Sequence, residues 1–264
     1  MNRPTSRPAW TVPLLLALSA GPALGLEPSD DADAPPWQAS GFGTLGAVVS
    51  DSAQAHFHRD GQTARTDGPR VDAEVDSNLG LQLDLRPLPG LHGMIQGVLM
   101  RRFERHAEAT LTWATVDWQG PASTVWRAGR MALPVYADSD HRRVSYASPW
   151  MRPPAEVYGL ALVDTLTGVD LSWLGSGALQ GWQLTGLAGR SQVERDNRSR
   201  IKVNQVRGLA LAWQAEHGIG VQASQIWGLV DLRGQGPGQS RDLYRFSSLS
   251  GQWTQPQWLL KSEV

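Results

Sequence analysis

Apolar and polar residues alternate along much of this chain, which is the two-residue period of a β-strand. The clearest stretch alternates Leu79, Leu81, Leu83 and Leu85 with Gly80, Gln82, Asp84 and Arg86. A strand of this kind has one wholly apolar face and one polar or small face. After a long interruption, Val169, Leu171 and Trp173 alternate with Asp170 and Ser172 in the same way. The pattern predicts an all-β protein.

The same reading predicts about eleven strands, at residues 38–49, 79–86, 91–103, 108–118, 124–131, 165–174, 181–190, 203–214, 219–229, 242–253 and 256–264. The links after odd-numbered strands are mostly long and charged: 50–76, 104–107, 132–164, 191–202 and 230–241. The links after even-numbered strands are all short: 87–90, 119–123, 175–180, 215–218 and 254–256. Short turns at one rim and long loops at the other are typical of outer-membrane barrels. A Greek-key sandwich has no reason to sort its loops in this way.

The longest link, residues 132–164, is predicted to be an ordered loop. Prolines exclude a regular helix or a paired central strand from it, at positions Pro134, Pro149, Pro153 and Pro154. Aromatic side chains argue against disorder, because they bury large areas: Tyr136, Tyr146, Trp150 and Tyr158. We expect Tyr146, Trp150 and Tyr158 to fix the loop against the wall of the barrel.

Tryptophan is abundant, with 12 residues in 264. Several lie near predicted strand ends, where an aromatic girdle would meet the membrane interface: Trp113, Trp118, Trp126, Trp173, Trp182 and Trp213. Packing in an ordinary core explains any one of them, so only the set carries weight.

Residues 1–25 are predicted to be a secretory signal peptide. Arg3 and Arg7 precede an apolar run at residues 12–20, and Ala23-Leu24-Gly25 is a small-x-small cleavage site. Residues 26–37 are an acidic, proline-bearing lead-in, and residues 38–264 form the β-domain. Cleavage leaves 22 basic and 25 acidic residues, which argues against a nucleic-acid partner. The absence of cysteine excludes a disulfide scaffold.

Several segments together resemble a family of Gram-negative porin-like outer-membrane proteins. They are SGFGTLGAVVSD, DSNLGLQLDL, WRAGRMALPVYADSD, SYASPWMRPPAEVYGL, TGVDLSW, LSGQW and WLLKSEV. The resemblance implies an antiparallel transmembrane barrel of about sixteen strands, whose third external loop folds inward and narrows the pore. That loop matches residues 132–164 here.

The function implied is passive diffusion of ions or small hydrophilic solutes, with no enzyme activity and no cofactor. A selective pore needs charges at a constriction and along a wet lumen. The candidates on the constriction loop are Asp138, Asp140, Arg142, Arg143, Arg152 and Glu156. The candidates on polar strand faces are Asp84, Arg86, Asp117, Arg127 and Asp170. The expected partners are outer-membrane lipid and the solute, with a homo-oligomer for a full-length form.

The chain departs from the family by ending at Val264 after about eleven strands. With an odd number of strands, the first and the last run in the same direction and cannot close as an antiparallel pair. We therefore expect an open, incomplete barrel with both edge strands unpaired, and interpret the chain as a truncated member of the family.

Two other classes of function stay open. An outer-membrane hydrolase would need a nucleophile beside a base, and Ser145, His141 and Asp140 cluster in one loop but lack a G-x-S-x-G elbow. A soluble periplasmic β-protein that binds a ligand or partner would place its apolar faces in a core. His56 and His58 lack a third ligand for a metal, so no metal site is predicted.

Overall fold

Eleven strands form one antiparallel sheet in the computed structural model, and each strand pairs with its neighbours in chain order. The structure describes residues 35–50, 58–59, 62–63, 70–73, 77–101, 107–137, 139, 155–194, 200–215, 217–231 and 241–264. The sheet consists of β1 (Trp37–Thr44), β2 (Asn78–Leu88), β3 (Leu91–Arg101), β4 (Ala107–Gly120), β5 (Thr124–Ala132), β6 (Thr165–Leu174), β7 (Trp182–Glu194), β8 (Arg200–Gln214), β9 (Ile219–Asp231), β10 (Arg241–Gln255) and β11 (Trp258–Glu263). The predicted all-β antiparallel fold is confirmed.

The sheet is open. Its strand order begins at β1 and ends at β11, and these two strands do not pair with each other. This confirms the expectation for the two edge strands. The predicted signal peptide and most of the predicted lead-in lie outside the described residues.

The first strand is shorter than its sequence predicts. It ends at Thr44, and Val48–Ser50 instead pairs with Arg70–Asp72 in a separate two-stranded ribbon. The hydroxyl of Ser77 accepts a hydrogen bond of 3.1 Å from the amide of Gly46, in the segment that leaves the sheet. A second short ribbon pairs His58–Arg59 with Gln62–Thr63. The prediction that residues 50–76 contain no strand is therefore wrong.

Two other boundaries differ from the prediction. β7 runs on to Glu194 and β8 starts at Arg200, because Val193 and Ile201 continue the alternation and pair with each other inside the predicted loop. β2 continues through Pro87 to Leu88, with a register shift after Leu85 where proline offers no N–H. The turn to β3 then needs only Pro89 and Gly90, and Gly90 has a φ of +74°.

The two faces of the sheet differ sharply, and we name them by their residues. The outer face carries Leu79 and Leu81, whose side chains are 54% and 67% exposed. The inner face carries Asp170, which is buried. The hydrophobic core lies on the inner face alone, between β5–β10 and the described parts of residues 133–163.

The long link between β5 and β6 contains one helical turn, α1 (Ala155–Tyr158). The sequence predicts no helix there. Pro153 and Pro154 come directly before this turn, and proline is well tolerated at the start of a helix because the first N–H groups have no partner within the helix. The turn brings Tyr158 into the core, where it is buried.

Candidate pore-lining face

Three charged side chains and a histidine stand side by side across the inner face. Strand register places His92 of β3 opposite Asp117 of β4, Asp117 opposite Arg127 of β5, and Arg127 opposite Asp170 of β6. We call these four residues the charged row. Charges of opposite sign on neighbouring strands attract each other, so the row also stabilises the sheet.

The two sides of the charged row are held by short contacts. Arg127 donates from Nη2 and Nε to Oδ2 of Asp170, at 2.8 and 2.9 Å. On the other side, the ring nitrogens of His92 lie 3.4 Å from Asp117 Oδ2 and 3.2 Å from Asp84 Oδ1. A neutral imidazole can donate to only one of these carboxylates, whereas an imidazolium donates to both.

Two glutamine amides extend this network along β2 and β3. Gln82 donates to Asp84 Oδ2 and Gln96 donates to Gln82 Oε1, both at 2.8 Å. Gln96 is only 3% exposed, and its Oε1 accepts no hydrogen bond from the described residues. Within the same described part of the chain, Oδ1 of Asp117 likewise has no donor. The inner face around His92 is therefore polar, and the described residues leave two of its oxygen atoms without a hydrogen-bond donor.

The link between β5 and β6 crosses the inner face. Its base is closed by a hydrogen bond of 2.9 Å from Leu133 N to the carbonyl of Asp164. Farther on, Val135 O accepts a hydrogen bond from Ser248 of β10, and Ser224 of β9 lies 2.7 Å from that serine hydroxyl. The segment thus leaves β5 and contacts strands four and five positions away in the sheet.

Tyrosines hold the two described ends of this link together. The Tyr136 hydroxyl donates to Val157 O at 2.7 Å, and its ring lies 4.7 Å from that of Tyr158. Phe246 of β10 packs edge-on against Tyr136, with ring centroids 5.7 Å apart. The Tyr158 hydroxyl donates to Glu263 Oε1 on β11 at 3.1 Å. Tyr158 therefore joins its own end of the link both to Tyr136 at the other end and to the last strand.

Apart from Tyr158, which lies in the core, the predicted site residues fall into three groups. The inner face brings together Asp84, Asp117, Arg127 and Asp170. Arg86 is exposed near the short-turn rim and stands apart from them, and only the backbone of Glu156 is described, within α1. The remaining candidates lie outside the described residues: Asp138, Asp140, Arg142, Arg143, Tyr146, Trp150 and Arg152.

His92 and Gln96 are inner-face residues that sequence reasoning missed, whereas Gln82 lies on the polar face predicted for β2 but was not among the candidates. The available signal was the alternation of β3, because His92 and Gln96 share the parity that faces away from Ile95 and Leu99. A bulge at Thr112 breaks the alternation of β4 and turns Trp113 to the inner face, where it is 6% exposed. Placing Trp113 in the outer girdle was therefore wrong.

The other tryptophans of the predicted girdle lie on the outer face at the short-turn rim. With three more that share this position, they form what we call the tryptophan belt: Trp37, Trp118, Trp126, Trp173, Trp182, Trp213, Trp253 and Trp258. Trp118 and Trp126 are directly paired, and the rings of Trp253 and Trp258 are 4.6 Å apart.

The described part of the chain contains no helix that is long and apolar enough to cross a membrane. Nor do its described residues include a group of three or more His, Asp or Glu residues that could hold a metal ion.

No family model matches the sequence, and no curated protein matches it. Among solved structures, OmpF of Salmonella typhi in complex with daunomycin is similar over 77% of this chain and 89% of that chain, at 11% sequence identity and a TM-score of 0.24.

Proposed function

We propose that this chain is a porin-like protein of the Gram-negative outer membrane, which lets ions or small hydrophilic solutes diffuse along its inner face. The observation that carries the proposal is the division of the sheet into a lipid-like outer face and a polar inner face. The outer face would contact lipid, and the inner face would contact water. The proposed transport is passive and needs neither catalysis nor a cofactor.

The outer face is too apolar to be stable in water. Leucine, valine, isoleucine and tryptophan side chains on it are between 38% and 71% exposed on nearly every strand. Monomeric soluble proteins rarely expose contiguous apolar patches beyond a few hundred Å². A hydrocarbon environment removes this cost, and the tryptophan belt would then lie at one membrane interface.

The geometry of the tryptophan belt supports this orientation. A row of paired residues that starts at Trp37 on β1 reaches Arg245 on β10 after nine strand-to-strand steps. The belt residue of β10, Trp253, lies eight residues farther along that strand. Eight residues span roughly 26 Å and nine steps roughly 43 Å, so the strands would incline by about 30° to the membrane normal. Tilts of roughly 35–45° are usual in outer-membrane barrels.

The inner face has the properties of a solute-facing wall. Asp84, Asp117 and Asp170 outnumber Arg127 as permanent charges, so the charged row and its neighbour Asp84 favour cations. The link between β5 and β6 would narrow the passage beside them. Because a sheet in hydrocarbon needs every backbone group paired, a conducting pore also requires strand partners for β1 and β11.

We expect Asp84→Asn combined with Asp117→Asn to reduce cation preference, because the double variant removes two negative charges from the inner face. The measurement is the reversal potential across a planar bilayer in a salt gradient, with protein extracted from outer membranes. Asp231→Asn is the matched control, since Asp231 faces outward at the long-loop rim. An equal loss of selectivity in Asp231→Asn would contradict the assignment of the inner face.

Cell fractionation separates this proposal from the soluble alternative. A soluble periplasmic protein leaves the cell on osmotic shock, whereas the proposed protein stays in the outer membrane until detergent is added. Release by osmotic shock would overturn the proposal.

A further inference from the structure

Three exposed arginines lie together on the outer face, in the half of the sheet near the long loops. They are Arg190 of β7, Arg207 of β8 and Arg245 of β10, and we call them the arginine patch. Trp227 of β9 stands directly opposite Arg207 on one side and Arg245 on the other. Arg207 is also opposite Ala188, which shares a face with Arg190 two residues away.

Carboxylates of the described part of the chain do not neutralise these arginines. On the outer face of β5–β10, the one acid whose side chain the structure describes is Asp231. It stands opposite Lys202, another outward cation. The inner face, by contrast, carries Asp117, Asp170 and Glu263. The arginine patch is thus a local excess of positive charge.

The height of the patch above the tryptophan belt places it at a second interface. Arg190 is eight residues from Trp182, and Arg245 is eight residues from Trp253. At the inclination derived above, eight residues rise by roughly 22 Å. The apolar band of an outer-membrane barrel is about 25 Å tall, so these guanidinium groups reach the far edge of the hydrocarbon, where a charge costs little.

We propose that the arginine patch binds phosphate-bearing lipid headgroups in the membrane leaflet at the long-loop rim. This inference rests on the proposed function. Arginine suits the task because its planar guanidinium can donate two parallel hydrogen bonds to a phosphate. Leu209 and Leu249 are exposed on the belt side of the patch, where the acyl chains of such a lipid would lie. A second copy of the same patch would be repelled by its positive charge.

The test compares a phosphate-rich lipid with a zwitterionic one. The full chain, folded in detergent micelles, is titrated with dioleoylphosphatidic acid or dioleoylphosphatidylcholine, and bound lipid is counted by native mass spectrometry. Each interfacial arginine contributes about a fivefold preference for an anionic lipid. In the triple variant Arg190→Gln, Arg207→Gln, Arg245→Gln, the preference for phosphatidic acid over phosphatidylcholine should therefore fall about 100-fold. Arg130→Gln is the single-site control against Arg207→Gln, because Arg130 shares the outer face but donates to Leu111 O at 3.1 Å.

The outcomes separate the two proposals. Equal binding of both lipids by the native chain, or an unchanged preference in the triple variant, would overturn the lipid site alone. Displacement of the lipid by inorganic phosphate in the absence of acyl chains would show an anion site and also overturn it. A chain that enters neither lipid vesicles nor micelles would instead overturn the proposed function. The result for each variant is the ratio of its binding to the two lipids. Because both lipids are measured on the same protein, a difference in folding between variants does not change the comparison.

Discussion

Replacing Arg127 by glutamine should lower the free energy of unfolding by about 3–5 kcal/mol, because it removes one partner of a nearly buried ion pair. The side chain of Asp170 is only 4% exposed, and Arg127 donates to its Oδ2 from two nitrogens. Glutamine cannot replace the positive charge. Equilibrium unfolding by urea in the presence of lipid vesicles measures the difference.

Two further variants make this result specific. Arg86→Gln removes the same charge from an exposed position and should change stability by less than about 0.5 kcal/mol. The double variant Arg127→Met, Asp170→Leu removes both charges and should recover most of the loss, since neither group is then left buried without its partner. If Arg127→Gln were as stable as Arg86→Gln, the ion pair between Arg127 and Asp170 would not stabilise the sheet.

Tyr136→Ala should cost about 3–5 kcal/mol, the usual range for truncating a large buried aromatic side chain. Tyr136 is 2% exposed and contacts Tyr158 and Phe246, so its ring joins the link between β5 and β6 to the inner face. Loss of the ring should release that link. In a form in which β1 and β11 have strand partners, we therefore expect higher single-channel conductance together with the lower stability.

Tyr136→Phe is the matched control, because it keeps both ring contacts and removes the hydroxyl that donates to Val157 O. That change should cost about 0.5–1.5 kcal/mol and leave the conductance unaltered. If the alanine and phenylalanine variants conduct equally, the link does not narrow the passage.

Much of the sheet could be predicted because its alternation is a local property of the sequence. The bounds of β6 agree with prediction to the residue, since apolar and polar positions alternate there without interruption. Pairing across the short links also followed from the sequence, because a turn of a few residues forces the two strands that it joins to be neighbours. The division of β2 into an apolar face, which carries Leu79 and Leu81, and a polar face followed from the same pattern.

The inner-face network depends on register, which alternation alone does not give. Asp117 and Arg127 meet because the turn at residues 121–123 fixes their pairing, and Asp170 joins them across a link of more than thirty residues. His92 went unnoticed because β3 also carries glycines and methionines, so its alternation of apolar and polar residues is weak. Bulges also hide a face from the sequence, as Thr112 does for Trp113.

The central claim is that adjacent residues of one strand face lipid and water, and Leu81 and Gln82 of β2 test it most directly. The chain contains no cysteine, so Leu81→Cys and Gln82→Cys each accept a single fluorescent label. In vesicles, we expect brominated lipid to quench the label at position 81 and aqueous iodide to quench the label at position 82. Quenching of both labels by iodide, with no effect of brominated lipid on either, would contradict the account.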